Sequence, residues 1–141
     1  MDWKLEVVVV PVSDVDRAKA FYVEKLGFIL DVDQSAGEDF RIVHMTPLGS
    51  ACSVVVMKNV ERAGCLPGLQ VVVADIDAAR AELEGRGVEV SELFYFDDGV
   101  QKPGPEPQRA SYNTFFSFSD PDGNSWLVQE VKPAVSAAEE D

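Results

Sequence analysis

The sequence predicts an α+β fold assembled from two βαβββ modules. Three observations carry that expectation: an internal repeat, a strand–helix–strand order around each copy of it, and a tight turn between two further strands in each half. The segment Val12-Ser13-Asp14-Val15-Asp16-Arg17-Ala18-Lys19-Ala20 returns as Val73-Ala74-Asp75-Ile76-Asp77-Ala78-Ala79-Arg80-Ala81, with five of nine positions identical at an offset of 61. The flanks agree as well, so each copy marks the same place in a duplicated unit.

The elements follow in order. Each copy is preceded by an apolar, β-branched run, Val7 to Val10 and Val71 to Val73, that reads as a buried strand. Each then enters a helix. In the first, Ser13 and Asp14 offer oxygens to the orphan amides, Val15, Ala18, Tyr22 and Leu26 recur at helical spacing, and Gly27 supplies a stop. In the second, Asp75 caps, Ile76, Ala79 and Leu83 form the apolar stripe, and Gly87 ends it. Strands are expected next at Phe28 to Val32 and Val88 to Leu93. Two more strands in each half flank a corner: Phe40 to Thr46 and Ala51 to Lys58 around Pro47-Leu48-Gly49-Ser50, then Tyr112 to Ser119 and Ser125 to Val131 around Pro121-Asp122-Gly123-Asn124. The expected organisation is a first module over 1–58, a linker over 59–67, a second module over 68–132, and a disordered acidic tail over 133–141. The second module carries an insertion at 97–110 with no counterpart in the first, an irregular stretch long enough to act as a lid.

Composition narrows the function. Twelve Lys+Arg against 25 Asp+Glu give a formal net charge of −13, with 46% hydrophobic residues over 141 positions. A chain of this length buries roughly 70% of its unfolded surface, which excludes wholesale disorder. No basic stripe is available to neutralise phosphates, so no nucleic-acid partner is expected. The longest apolar stretch, Val7 to Val12, is too short for a membrane span, and the start Met1-Asp2-Trp3-Lys4 lacks signal-peptide character, so the expected location is cytoplasmic. Cys52 and Cys65 are too few for a disulfide framework or a thiolate cage and are read as reduced.

Two motifs carry a family resemblance. Val12-Ser13-Asp14-Val15-Asp16-Arg17-Ala18-Lys19-Ala20-Phe21-Tyr22 with Leu26-Gly27-Phe28 resembles the opening signature of the vicinal oxygen chelate superfamily, which includes glyoxalase I, bleomycin-resistance proteins and extradiol dioxygenases. Phe118-Ser119-Asp120-Pro121-Asp122-Gly123-Asn124 resembles its closing signature, and with the repeat the likeness covers residues 4 to 132. The resemblance implies a cup-shaped mixed sheet with the helices outside, the ligand in the cup, and often a homodimer. It also implies a metal held by one residue from the first and one from the fourth strand of each module, usually His or Glu. Carried onto this chain, those positions fall on Val7, Ser53, Gly68 and Leu127, which offer none of the imidazole, carboxylate or thiolate donors that divalent ions select. The expectation is therefore no metal and no cofactor. His44, the single histidine, and Glu6 and Glu130 near the expected positions are the candidates for a displaced site, although strand alternation turns both glutamates away.

The same alternation assigns the cup lining. The residues expected to touch ligand are His44, Ser53, Val55, Met57, Gln70, Phe118, Leu127 and Gln129, with Val7, Val9, Gly68 and Val72 on the same face. A four-residue turn at Pro47 to Ser50 sets His44 opposite Ser53, and the matching turn sets Phe118 opposite Leu127. Gln70 and Gln129, if inward, need partners for their amides, which points to ligand or ordered water. A Ser53–His44 nucleophile pair lacks a third orienting group. Cys52, Trp126 and Val128 face the helices and read as core, while Tyr112 and Arg109 at the mouth of the long loop either gate the pocket or decorate it. Three functions follow, in order of preference: a metal-free protein sequestering a partly aromatic or cationic small molecule; a glyoxalase-like lyase, isomerase or dioxygenase; and a structural or regulatory dimer whose own side chains fill the cup.

Overall fold

The structure is a computed structural model and describes residues 1–38 and 40–132; the expected acidic tail at 133–141 lies outside the described residues. The chain forms two compact units, residues 1–69 with 119–125, and residues 70–118 with the segment from 126 onward. Their sheets are mixed, of four and five strands, so the α+β class expected from the repeat is the class observed.

In the first unit, strand β1 (Val7–Val12) leads through Asp14 into helix α1 (Val15–Ala20), which widens into a π-helical turn over Phe21–Lys25. Asp14 caps as its residue type predicts, its carboxylate accepting from the Arg17 amide at 3.0 Å. Strands β2 (Ile29–Ala36), β3 (Phe40–Thr46) and β4 (Ser53–Lys58) complete a sheet of order β1-β4-β3-β2, with β1 and β4 parallel. Burial alternates along the strands. Val10, Val12, Val43, Met45, Val54 and Val56 are buried with Val15, Ala18 and Tyr22, so one sheet face packs under the helix. The other face stays open.

Residues 119–124 of the closing signature belong to this unit, and their polar groups are taken up within it. The Asp120 carboxylate accepts from the Tyr22 hydroxyl at 2.7 Å and from the Asn124 amide at 2.8 Å. Asn124 also donates to the Pro11 carbonyl at 2.9 Å and accepts from the Leu66 amide at 3.1 Å. Asp122 accepts from the Ser13 amide at 3.0 Å and from Arg17 at 3.1 Å. A turn otherwise full of orphan polar groups is thus satisfied by α1, β1 and the linker.

In the second unit, β5 (Leu69–Val73) leads through the capping Asp75 into α2 (Ile76–Gly85), with β6 (Phe94–Asp97), β7 (Val100–Pro103), β8 (Phe115–Ser119) and β9 (Ser125–Glu130) in the order β5-β9-β8-β6-β7. Trp126 and Val128 are buried, as the alternation predicted. Two expectations need correction. Val88 to Leu93 is not a strand: its backbone bonds are made singly, Ser91 to the Ser117 carbonyl at 2.9 Å and the Arg80 side chain to the Ser91 carbonyl at 2.8 Å, and the strand starts at Phe94. The insertion is not wholly irregular either. Its first part folds back as the β6–β7 hairpin around Asp98-Gly99, whose φ values of +53° and +79° give the left-handed pair that a two-residue hairpin turn requires.

Candidate functional site

In the first unit the expected residues share the open face. His44 is the register partner of Val55 on β4 and of Val32 on β2, and Ile42 pairs with Met57. His44 is not opposite Ser53. The connection between β3 and β4 runs over 47–52 instead of 47–50, which shifts the hairpin by two residues and sets Thr46 beside Ser53, their hydroxyls 2.6 Å apart. A shift of two preserves the face, so His44, Ser53, Val55 and Met57 remain together. Thr46 also donates to Asp31, which leaves Ser53 in a hydroxyl chain ending on a carboxylate. The Nε2 of His44 is enclosed and has no hydrogen-bond partner among the described residues. Cys52 lies in the loop and is half-buried, not part of the core, because β4 begins only at Ser53.

In the second unit Leu127 and Gln129 are half-buried, alternating with buried Trp126, Val128 and Glu130. Gln70 donates to Gln129 at 2.8 Å, and Gln129 donates to the Tyr112 carbonyl at 2.9 Å, so the two amides satisfy each other and a loop. Phe118 requires correction. Its ring stacks on Trp126 at 5.9 Å between centroids, on the face away from Leu127. The β8–β9 connection spans 120–124, one residue more than the expected turn, and a one-residue slip exchanges the two faces of a strand. The same register brings Ser117 to Leu127's face, and the Glu130 amide donates to the Thr114 carbonyl at 2.9 Å in agreement with it.

The sequence reading missed an aromatic group on this unit. Phe94 stacks on its register partner Phe115 at 5.7 Å, and Phe96 meets Phe115 edge-on at 5.6 Å. Next to it lies a groove of about 490 Å³ lined by Leu93, Phe94, Gln101, Pro103 and Ser117 among others. The signal was present in the alternating Phe94-Tyr95-Phe96 ahead of Asp98-Gly99, which marks a hairpin strand.

The metal implied by the resemblance does not fit. Val7 and Ser53 are register partners, so those two positions do meet in the first unit, but one has no donor and the other's hydroxyl is engaged by Thr46. Gly68 and Leu127 offer no side-chain donor at all. Nor does Glu130 serve a displaced site. It points to the helix side, as alternation predicted, where its carboxylate accepts from the Ile76 amide at 3.1 Å at the N-terminus of α2. Asp75, Asp77 and Glu130 bring carboxylate oxygens within 4.8 Å of one another, and the cation among them is Arg109, 2.8 Å from Asp77 and 3.2 Å from Glu130. Asp77 and then Glu130 hold the Arg109 guanidinium above its ordinary pKa. Arg109 is therefore an anchor for the second half of the insertion, along with Glu106, whose carboxylate accepts from the backbone amides of Gln108 and Ala110.

No helix among the described residues is long and apolar enough to cross a membrane. Comparison with known proteins adds three likenesses. TnmS3, an antibiotic binding protein from Streptomyces sp. CB03234, is 33% identical with a TM-score of 0.73, the match covering 93% of this chain and 98% of that one. A glyoxalase/bleomycin resistance protein from the same strain is 34% identical with a TM-score of 0.70, over 90% of this chain and all 100% of the other. The uncharacterized protein YetH of Bacillus subtilis (strain 168) is 27% identical over 127 residues, 90% of this chain and 98% of its own. The family described as the Glyoxalase/Bleomycin resistance protein/Dioxygenase superfamily matches residues 4–128, and with both signatures in place the chain belongs to that superfamily.

Proposed function

We propose that this protein sequesters a largely apolar, aromatic or cationic small molecule on the open faces of its sheets, without metal-dependent chemistry. The single observation that carries the proposal is the pair Val7–Ser53, in register at the positions where metal-dependent relatives hold their ion, one without a donor atom and the other with its hydroxyl bonded to Thr46. The open faces supply what such a ligand needs: apolar surface from Val55, Met57 and Leu127, and a few polar groups, His44 and Ser53 on one unit and Gln70 and Gln129 on the other. Similarity at 33% identity to a protein that binds an antibiotic supports ligand capture over turnover. Association of two chains is part of the proposal, supported by apolar side chains left exposed on the open faces, Val9 at 51% and Val72 at 60%.

The test is a fluorescence titration with proflavine, a planar cationic dye, with and without EDTA, followed by mass spectrometry of the recovered dye. Saturable binding, indifferent to EDTA and returning unaltered dye, is the expected result. Loss of binding on chelation, or chemically altered dye, overturns the proposal.

A further inference from the structure

Strand β2 carries a residue that β3 does not match. Leu30 pairs with Met45 and Val32 with His44, so Asp31 is an extra residue between adjacent partners, a β-bulge of the kind that re-aims a side chain. Its carboxylate accepts from the Thr46 hydroxyl, and the hydroxyl oxygens of Thr46 and Ser53 lie 2.6 Å apart. Counting protons fixes the direction of this chain. A hydroxyl has one proton to give and lone pairs with which to accept. Thr46 commits its proton to Asp31, so its oxygen accepts from Ser53, and Ser53 commits its own proton to Thr46. Only lone pairs remain on Ser53. The residue is 7% exposed on the open face, where bulk water competes little for them. The polar atoms of this face do not close among themselves, since the enclosed Nε2 of His44, two residues before Thr46, also has no partner among the described residues.

We infer that Ser53 is a one-way acceptor that selects a ligand presenting an N–H donor to the open face of the first unit, with Thr46 and Asp31 as the positioning residues that hold its polarity. The inference rests on the binding function proposed above and names the group the ligand carries. A ligand oxygen or a fully alkylated nitrogen at that point sets lone pairs or methyls against lone pairs, whereas an amine donates to Ser53 without rearranging the chain. The net charge of −13 favours a nitrogen of a cationic ligand over a neutral hydroxyl as that donor.

Paired titrations with proflavine, whose amines carry N–H donors, and acridine orange, the same ring system with those amines methylated, test this in the parent chain, Asp31→Asn and Ser53→Ala. The methyl bulk is the same against every protein, so a change in the affinity ratio between proteins reports hydrogen bonding and not size. Asparagine at the exposed position 31 keeps the shape of aspartate and adds an amide donor, which frees Thr46 to donate to Ser53 and Ser53 to donate outward. The expected result is a proflavine preference of about ten-fold in the parent that shrinks to about two-fold in both variants. A preference unchanged in Ser53→Ala overturns the acceptor, and one unchanged in Asp31→Asn overturns the bulge as the source of its polarity. Equal binding of the two dyes by the parent overturns both. Failure of the parent to bind either dye removes the binding function itself, an outcome distinct from these.

Discussion

Asp120 concentrates four donors on one buried carboxylate: the Tyr22 hydroxyl, the Asn124 side-chain amide, and the backbone amides of Asp122 and Asn124. Removing it strands buried donors, which costs more than the bonds themselves contribute. Asp120→Ala is expected to lower stability by about 3 kcal/mol in urea unfolding, against about 1.5 kcal/mol for Tyr22→Phe, where the carboxylate loses one of its four donors and keeps the other three. Asp33 differs because its partners are charged. Hydrogen bonds from Arg41 and then Lys19 hold its carboxyl well below the ordinary 3.8. The folded value lies under the unfolded one, so the stabilisation is full above that ordinary value and is lost as pH falls toward the folded one. Asp33→Asn should therefore melt lower than the parent at pH 7, and the gap should narrow as the pH is taken below about 4. A gap that stays constant on acidification would contradict this.

At the scale of elements, turn length decided more than strand propensity. Strand positions were legible in β-branched runs, yet one extra residue at 120–124 placed Phe118 on Trp126, and two extra at 47–52 moved His44 from Ser53 to Val55. Turns of four, five and six residues share the same Pro, Gly, Asn and Asp chemistry, so composition cannot count them. The linker shows a sharper constraint. A Cβ at Gly64 would collide with the Asp122 carbonyl, which ties that glycine to the closing signature. The second half of the insertion is held by charge, Arg109 lying among Asp75, Asp77 and Glu130. Arg109→Ala leaves those carboxylates without a cation, with an expected loss of about 1–2 kcal/mol after allowance for partial exposure. Millimolar calcium should raise the melting temperature of this variant and leave the parent unmoved; equal response of both proteins would refute the account.

For the whole molecule, the net charge of −13 makes a claim about ligand capture. If a cationic ligand is drawn in by that field, proflavine affinity should fall as sodium chloride is raised from about 50 to about 200 mM, while a neutral dye of similar size should not respond. Equal salt dependence for the two dyes would remove charge from the recognition. Membership of the superfamily does not decide this, since one fold carries many chemistries, and the argument has to come from the side chains at the site.

The repeat determined that each half opens on a strand leading through an Asp cap into a helix, because the shared capping and apolar pattern folds alike in both copies; past the second helix the βαβββ plan gives way to the β6–β7 hairpin. Residue identity likewise determined that Val7, Ser53, Gly68 and Leu127 offer no metal cage, since donor chemistry needs no coordinates. Only tertiary structure decided that Gln70 donates to Gln129, that Glu130 accepts from the Ile76 amide beside the Asp75 cap of α2, and that three phenylalanines cluster on the second unit. Those outcomes depend on which residues, far apart in the chain, are brought within hydrogen-bond or ring-contact distance. That proximity is set by loop lengths and register, which local periodicity does not encode.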